Sequence, residues 1–416
     1  MSSKDVFIPR TQLLAKLSQH RDTEPVKVLT GVRRCGKSTL LQMFVQQLKD
    51  EGVSQDNIFA KRFDSFDIPL GYNASNLYED LQNAFKHANS AEPFYVFLDE
   101  IQDVDGWERV VRRLHTRPNT DVYITGSNSQ LLSGDLATYL AGRYAEIPVF
   151  PLSFEEYAHY RNASESQTTI AQDFADYMRY GGMPGLYKQE MPSLDTVREQ
   201  LDGIYDSVVV KDVAERNNIR DLGMLNTVCK YLFSTSGTLF STRNVSNTLT
   251  SAGTPANVKT VDTYIQALER AYIVYRAEQV GISGKKILRP TNKYYPVDNG
   301  FRNLANGFRT SDLGAQLEGI VFLELKRRGY TINVGNNGSE EVDFVAERSP
   351  NRAYIQVTLS MLDDATRERE LRPLQKLNDA FPRIVLTLDG WNTGTDEQGI
   401  QIAPVTDWLL DEYRIF

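Results

Sequence analysis

The sequence predicts an α/β protein whose first 150 residues form a parallel sheet with flanking helices. Three mainly apolar runs support this prediction, at residues 26–29, 94–98 and 122–124. Continuous apolar runs are typical of parallel strands, because such strands are buried on both faces. The segments between them have apolar residues at helical spacing, so strands and helices alternate. At 416 residues the chain is too long for one ordinary core, and we expect further domains.

A glycine-bounded loop follows the first of these runs. The pattern G-x-x-x-x-G-K-S occupies residues 31–38. An apolar strand precedes it, and a segment with the spacing of an amphipathic helix follows it. Strand, loop and helix in this order distinguish a phosphate-binding P-loop from an ordinary glycine-rich turn. The sequence therefore predicts a nucleotide site at this loop.

Each residue type in the loop suits the binding of phosphates. Gly31 and Gly36 permit backbone conformations that a Cβ would forbid, and they bring N–H groups close to an anion. The helix that starts near Lys37 adds the positive end of its dipole. We expect the Lys37 ammonium to reach the β- and γ-phosphates and the Ser38 hydroxyl to bind Mg²⁺. With Thr39 completing the binding set, ATP and Mg²⁺ are the predicted ligands.

Two acidic residues end the apolar run at residues 94–98. Ligands of parallel sheets bind beyond the carboxyl ends of the strands, where Asp99 and Glu100 would lie. Asp99 fits as the acid that holds Mg²⁺, and Glu100 fits as the residue that orients or activates the attacking water. Acids that only cap a strand are common, so this interpretation depends on the P-loop upstream. On that basis the sequence predicts hydrolysis of ATP as well as binding.

Five segments resemble one family of ATPases. They are GVRRCGKSTLL, VFLDEIQDVDGWERVVRRL, ITGSNSQLL, LAGRY and PLSFEEY. In this order they resemble the bacterial and archaeal AAA-type ATPases that carry a C-terminal domain of unknown function. The resemblance covers nearly the whole chain, because the later segment YGGMPGLY also matches. We expect an AAA-type ATPase core at residues 1–150 and a helical lid or linker at residues 151–220.

The resemblance implies two further contributions to the nucleotide site. In AAA-type ATPases the strand after the one that ends in the Mg²⁺-binding acid ends in a polar residue that senses the γ-phosphate or the water. Ser127 or Asn128 can fill this place. Both residue types also favour helix N-caps, and the two roles are compatible. Arg143 is placed like an arginine finger or sensor arginine, whose guanidinium neutralises charge in the transition state. The alternative is a surface ion pair with Glu146, and a finger acting between subunits would require an oligomer.

Residues 221–310 are predicted to form a winged helix-turn-helix. Three helices and two strands are expected, at residues 225–233, 241–249, 257–271, 273–278 and 293–297. Residues 201–310 carry 14 Lys and Arg against 9 Asp and Glu, a net charge of +5 between flanks of −6 and −7. Seven of these basic residues lie between 276 and 309. Such a charge attracts phosphate backbones, so DNA is one expected partner. A protein partner is the alternative.

Residues 311–416 are predicted to have the fold of PD-(D/E)xK nucleases, with a helix at 315–328 followed by strands. An active site of that type needs acids on two neighbouring strands and a lysine two residues after the second acid, to hold Mg²⁺ and activate water. Asp343 and a helix acid such as Glu318 are present. However, Gln356 and Thr358 stand where the second acid and the lysine belong. We therefore expect a nuclease-like domain without catalytic activity.

The apolar runs, the first ten residues, the cysteines and the histidines indicate which classes of protein to expect. No apolar run is long enough to span a bilayer and residues 1–10 contain no signal-peptide core, so we expect a cytoplasmic protein without membrane partners. Cys35 and Cys229 are far apart in sequence, so we expect no disulfide between them, which agrees with a reducing compartment. The four histidines show no paired metal-ligand spacing, so a zinc site is not expected. The leading hypothesis is an ATPase that gates its C-terminal module. A slow nucleotide-controlled switch is the alternative, and an ATP-regulated nuclease is disfavoured by Gln356 and Thr358.

Overall fold

The computed structural model describes residues 7–132, 142–163, 168–187, 193–251, 253, 255–282, 291–309, 312–338 and 340–413. These residues belong to two compact units. The first unit lies within Met1–Phe150 and Arg270–Tyr272, and the second lies within Pro151–Glu269 and Ile273–Phe416. The limits predicted at residues 220 and 310 both fall inside the second unit.

The first unit is a parallel sheet with helices on its faces. Its elements are α1 (Thr11–His20), β1 (Val26–Thr30), α2 (Lys37–Asp50), β2 (Ile58–Arg62), α3 (Ala74–His87), β3 (Phe94–Asp99), α4 (Trp107–His115), β4 (Thr120–Gly126) and β5 (Tyr144–Pro148). The strand order is β2-β3-β4-β1-β5, and every neighbouring pair is parallel. The predicted α/β fold with a parallel sheet is confirmed.

Burial explains why these runs form the central strands. Every residue of β1 and β3 is buried, and apolar side chains of α3 and α4 pack against the sheet in one core. Lys27 is the one charged residue on β1. Its ammonium pairs with the carboxylate of Asp121 and donates to the carbonyl oxygen of Thr23 at 2.7 Å. The buried charge is therefore both paired and hydrogen-bonded, as burial of an ion requires.

The register of the sheet brings the ends of the central strands to one edge. Thr30 at the end of β1 is level with Gly126 at the end of β4. Leu98 on β3 is level with Ile124 on β4. Because all strands run in the same direction, the loops after β1, β3 and β4 leave the sheet at the same edge. This edge carries the candidate site.

The second unit contains helices and a mixed sheet. Its elements are α5 (Phe154–Ala163), α6 (Ile170–Tyr180), α7 (Leu194–Ser207), a π-helix (Val208–Glu215), α8 (Leu222–Ser234), α9 (Thr242–Ser251), α10 (Val258–Arg270), β6 (Val274–Gly281), β7 (Asn292–Pro296), α11 (Asn299–Ala305), α12 (Leu313–Arg327), β8 (Thr331–Asn336), β9 (Glu341–Arg348), β10 (Asn351–Thr358), α13 (Asp364–Gln375), β11 (Arg383–Thr387), β12 (Gly394–Thr395), β13 (Gln401–Pro404) and α14 (Val405–Leu409). The strand order is β12-β13-β11-β10-β9-β8-β6-β7.

The two strands predicted for the wing belong to this larger sheet. β6 and β7 form an antiparallel pair after three helices, in the order that the winged helix requires. However, β6 also pairs in parallel with β8, where Gln279 is level with Val334. The pair is therefore not a separate hairpin, because the open edge of β6 is covered by a strand of the predicted nuclease-like domain. The predicted connection between the strands, residues 283–290, lies outside the described residues.

A buried carboxylate explains the glycine pair in the segment YGGMPGLY. Asp298 accepts hydrogen bonds from the backbone N–H groups of Gly182 at 2.6 Å and Gly300 at 2.8 Å. A Cβ on Gly181, which has a φ of 82°, would lie 1.9 Å from Asp298 Oδ1. Burial raises the pKa of Asp298 to about 7, although both hydrogen bonds oppose the shift.

No helix within the described ranges is both long and apolar enough to cross a membrane.

Candidate functional site

The loop between β1 and α2 has the backbone conformation that its glycines predict. Gly36, immediately before α2, has a φ of 105° and a ψ of 15°, in the left-handed region. Gly31 has a φ of 149°, and a Cβ there would lie 2.1 Å from the carbonyl oxygen of Val149. Position 36 therefore needs glycine because its backbone is in the left-handed region. Position 31 needs glycine because of its positive φ and also because a Cβ would collide with the carbonyl oxygen of Val149.

Lys37 lies over this loop. Its buried ammonium donates to the carbonyl oxygens of Gly31 at 2.9 Å and Val32 at 3.2 Å. It also lies 3.8 Å from Glu100 Oε1. The cation predicted to bind phosphate is thus beside the acid predicted to act on water.

The two residues predicted to hold Mg²⁺ are in contact. The Ser38 side chain hydrogen-bonds to the carboxylate of Asp99 at the end of β3. Burial raises the pKa of Asp99, while hydrogen bonds from Thr125 and Ser38 act in the opposite direction. A hydroxyl and a carboxylate are oxygen ligands of the kind that Mg²⁺ prefers, and at nucleotide sites the phosphates and water complete its coordination. The donor set at Ser38 and Asp99 therefore fits the implied ion.

Glu100 has an unusual backbone conformation. Its φ of 54° and ψ of 45° lie in the left-handed region, which non-glycine residues seldom adopt. Its N–H donates to Thr125 Oγ1 at 2.8 Å, and its carboxylate accepts a hydrogen bond from Gln102. The side chain is buried. Outliers of this kind occur where the surroundings hold a functional group in place.

Thr125 connects both acids and was missed by the sequence interpretation. Its hydroxyl donates to Asp99 Oδ1 at 2.6 Å while it accepts from the Glu100 N–H. The signal that could have identified Thr125 is its place on the strand next to β3, one residue beyond the level of Leu98.

Arg62 is a second residue that the sequence did not indicate. It ends β2, beside Asp99 in the parallel register, and its Nε lies 3.9 Å from Asp99 Oδ2. Its Nη2 donates to Asp64 Oδ2 at 2.9 Å. No motif marks an arginine at the end of an edge strand, so only the register shows its place.

The predicted sensor residues lie directly after β4. Ser127 and Asn128 are both buried. The Asn128 carbonyl oxygen accepts from the Leu131 N–H at 3.1 Å, and a 3₁₀ turn begins at the next residue. They lie at the same sheet edge as Asp99, and their sensor role stays a prediction.

Arg143, the residue immediately before β5, has an exposed side chain. Its carbonyl oxygen accepts from the Val26 N–H at 3.1 Å, which places its backbone beside β1. Glu146, the alternative partner of Arg143, accepts a hydrogen bond from the Thr30 hydroxyl at 2.7 Å. The role of Arg143 as a finger also stays a prediction.

The second unit contains a buried lysine among carboxylates. Lys293 on β7 has its Nζ 3.0 Å from Glu318 Oε1, 2.7 Å from Glu341 Oε1 and 3.9 Å from Asp343 Oδ1. Burial lowers the pKa of Lys293, but the carboxylates outweigh it and the net shift is upward. Burial raises the pKa of Asp343 to about 8, and the negative charge of Glu318 acts in the same direction. We call Lys293, Glu318, Glu341 and Asp343 the Lys293 cluster.

Neutral side chains, Gln356 and Thr358, occupy the two positions at which an active nuclease would have its second acid and its lysine. Gln356 accepts from the Asp343 N–H at 3.3 Å and donates to Glu370 Oε2 at 3.1 Å. The Thr358 hydroxyl donates to the Ser360 carbonyl oxygen at 3.3 Å. In the described part of the chain, no group of three or more His, Cys, Asp or Glu side chains is arranged to hold a metal ion.

Part of the predicted basic surface is buried. Lys293 is inside the cluster, and Arg302 is 2% exposed with its Nη2 3.3 Å from Asp312 Oδ2. Arg276 pairs with Glu269 and Glu278. The remaining positively charged candidates include residues 285, 286 and 289, which lie outside the described residues. The segment charge of +5 therefore overstates the cationic surface.

Comparison with known proteins places these features in a family. An AAA domain matches residues 23–158, and a domain of unknown function, DUF8612, matches residues 171–312. An uncharacterized protein of Haemophilus influenzae is 38% identical over 404 residues, which is 97% of this chain and 99% of that protein. An uncharacterized protein of Methanocaldococcus jannaschii is 29% identical over 408 residues, 92% of this chain and 88% of that protein.

Among solved structures, the Walker-type ATPase of Pyrococcus abyssi is similar over 72% of this chain and 96% of that one, with 16% identity and a TM-score of 0.47. The identity to the Haemophilus protein over almost the full length of both chains is the finding that shows the family. The chain belongs to the family of AAA-domain proteins that includes this Haemophilus influenzae protein.

Proposed function

We propose that the protein is an ATPase that binds ATP with Mg²⁺ at the loop of its AAA domain. The observation that carries the proposal is the hydrogen-bonded set of Ser38, Asp99, Thr125 and Glu100 at one sheet edge. The set combines oxygen donors for the ion with a second acid for the water. It lies beside the glycine loop and Lys37.

The residues have separate tasks in this proposal. The loop N–H groups and Lys37 bind the phosphates, because backbone donors and an ammonium both neutralise anionic oxygen. Ser38 and Asp99 hold Mg²⁺, which when bound neutralises charge on the phosphates. Glu100 accepts a hydrogen bond from the attacking water and orients it. Ser127 or Asn128 contacts the γ-phosphate or the water, and the Arg143 guanidinium stabilises transition-state charge.

Phosphate release from the purified full chain tests this function. We expect release that requires both ATP and Mg²⁺ and that disappears in Lys37→Ala together with tight ATP binding. Lys49→Ala, which changes an exposed lysine at the other end of α2, is the matched control and should leave both unchanged. An active Lys37→Ala protein would overturn the proposal.

A slow nucleotide-controlled switch is a second candidate, favoured by the contacts of Glu100. Its carboxylate accepts from Gln102 and lies 3.8 Å from the Lys37 ammonium. These contacts restrain the carboxylate that would orient the water, so the arrangement favours slow turnover. Turnover that is slow alone and rises with a partner would support the switch.

DNA is a candidate ligand of residues 221–310, on the strength of their positive charge. If Lys285, Lys286 and Arg289 contact phosphates, affinity should fall with salt at a log–log slope of about −0.9 per neutralised phosphate. Changing all three to Ala should flatten that slope by roughly two to three units. Fluorescence anisotropy on a short duplex measures it. Failure to bind at low salt, with or without ATP, would reject DNA and favour a protein partner.

We also propose that the predicted nuclease-like region, residues 311–416, acts as a structural or binding module. In this proposal the Lys293 ammonium neutralises the acids that would otherwise bind a metal ion. Support comes from the 3.0 Å contact with Glu318 and from the neutral Gln356 and Thr358.

A further inference from the structure

The loop after β2 exposes two large apolar side chains. Phe66 and Leu70 are 102% and 104% exposed, the highest values among large apolar residues in the described part of the chain. Full exposure of two such side chains four residues apart is costly in water unless a partner covers them. We call residues 64–72 the β2 loop.

The β2 loop is held in place by its backbone and its ends. The Ile68 N–H donates to the Ser65 carbonyl oxygen at 3.1 Å, and the Tyr72 hydroxyl donates to Asp80 Oδ2 at 2.6 Å. Ile68 packs against the core of the first unit. Phe66 and Leu70 are therefore displayed by an ordered loop in which Ile68, between them in sequence, packs inward.

The same unit has a groove between α3 and α4. Its apolar floor includes Leu81, Phe85 and Leu114, and its volume is about 150 Å³. An apolar cavity of this volume is large enough to bind a benzene ring. The groove can therefore accept the phenyl group of a phenylalanine.

Two arginines border the groove. The Arg113 guanidinium lies 5.2 Å from the centre of the Tyr78 ring, and that of Arg117 lies 3.8 Å from the centre of the Phe85 ring. Within the described ranges, neither arginine has a carboxylate at ion-pair distance, so both can attract an acid. Stacking holds the two guanidinium groups at the rim.

The β2 loop carries the opposite charge beside its apolar anchor. Asp67 follows Phe66 directly and accepts a hydrogen bond from the Ser65 hydroxyl at 3.2 Å. No basic side chain of the described residues lies at ion-pair distance from it. An aromatic anchor with an adjacent carboxylate on one surface thus matches an apolar groove with guanidinium groups on another.

We propose that Phe66 of one copy of this chain occupies the α3–α4 groove of a second copy, with Asp67 facing Arg113 and Arg117. Phe66 is fully exposed, so it does not fill the groove of its own molecule. A loop on one copy and a groove on the next make a head-to-tail contact, which leads to rings or chains of subunits. The charge complementarity favours a second copy over an unrelated partner.

Sedimentation velocity over a range of protein concentrations tests the contact. Wild-type chain should associate, and Phe66→Ala should weaken association about 10- to 100-fold, the effect expected for one buried aromatic anchor. The double variant Arg113→Glu/Arg117→Glu should weaken it similarly. Trp391→Ala, which removes another exposed aromatic (69% exposed), is the control and should associate like wild type.

Mixing the two defective proteins gives the decisive result. Phe66→Ala keeps an intact groove, and Arg113→Glu/Arg117→Glu keeps an intact loop. A head-to-tail contact predicts that their mixture forms dimers of one molecule of each and nothing larger. Unchanged melting temperatures verify that both variants fold. A wild-type chain that stays monomeric with and without ATP, or two variants that do not pair, would overturn the proposal.

Discussion

The hydroxyl of Thr125 donates a 2.6 Å hydrogen bond to the carboxylate of Asp99. The same oxygen accepts from the Glu100 N–H, so one side chain fixes the acid proposed to hold Mg²⁺ and the backbone of the acid proposed to orient water. Both bonds are buried, where loss of a partner leaves a polar group unsatisfied.

Thr125→Val should lower kcat while ATP binding stays close to wild type. The substitution keeps the shape of the side chain and removes both hydrogen bonds. At roughly 1–3 kcal/mol for an unsatisfied buried group, kcat should fall about 10- to 100-fold. Thr125→Ser retains the hydroxyl and should recover most of the rate. Equal loss of binding and kcat would contradict the positioning role.

Arg143→Ala mixed with Lys37→Ala should recover ATP hydrolysis that neither protein shows alone. The exposed side chain of Arg143 fits a role across a subunit interface, where each protein completes the site of the other. Steady-state phosphate release at increasing mixing ratios measures the effect. Full activity of a strictly monomeric wild-type protein would instead assign Arg143 to its own nucleotide.

Lys293→Met should lower the free energy of unfolding by about 3–5 kcal/mol, because it leaves buried acids without their counter-charge. Urea unfolding measures the loss. Lys376→Met is the matched control, since Lys376 pairs with Glu340 at the surface and its loss should cost at most about 1 kcal/mol.

A nuclease assay gives the outcome that would contradict this structural role. Supercoiled and linear DNA with Mg²⁺ or Mn²⁺ should remain uncut by the wild-type chain. Cleavage that disappears in Asp343→Ala would make the Lys293 cluster an active site.

Asp298 should make the second unit less stable as the pH rises from about 4 to 7. Its folded-state pKa of about 7 lies above the ordinary value of 3.8, so the folded protein holds a proton that the unfolded chain has lost. The state with more bound protons loses relative stability as pH increases. Asp298→Asn has no such titrating group. Its free energy of unfolding, measured with urea, should therefore decline less between pH 4.5 and 7.5 than that of the wild type. Parallel pH profiles of both proteins would contradict the assignment.

Local patterns predicted the first unit well. The glycine loop, the apolar strands and the acids at the end of β3 are short-range signals, and the parallel order of strands then places them together. Thr125 and Lys293 were missed because their roles depend on pairing between distant segments. Lys293 in particular was counted as surface charge, whereas the sheet brings it to Glu318 and Asp343. The joining of β6 to β8 is likewise a non-local contact.

Lys37 is proposed to bind the nucleotide, and Glu100 is proposed to act on the water. The most direct test measures ATP binding and phosphate release for Glu100→Gln and Lys37→Ala side by side. Glu100→Gln should bind ATP and release almost no phosphate, because only the group that orients the water is changed. Lys37→Ala should lose both. Equal loss of ATP binding in the two variants, or wild-type phosphate release by Glu100→Gln, would contradict these two roles.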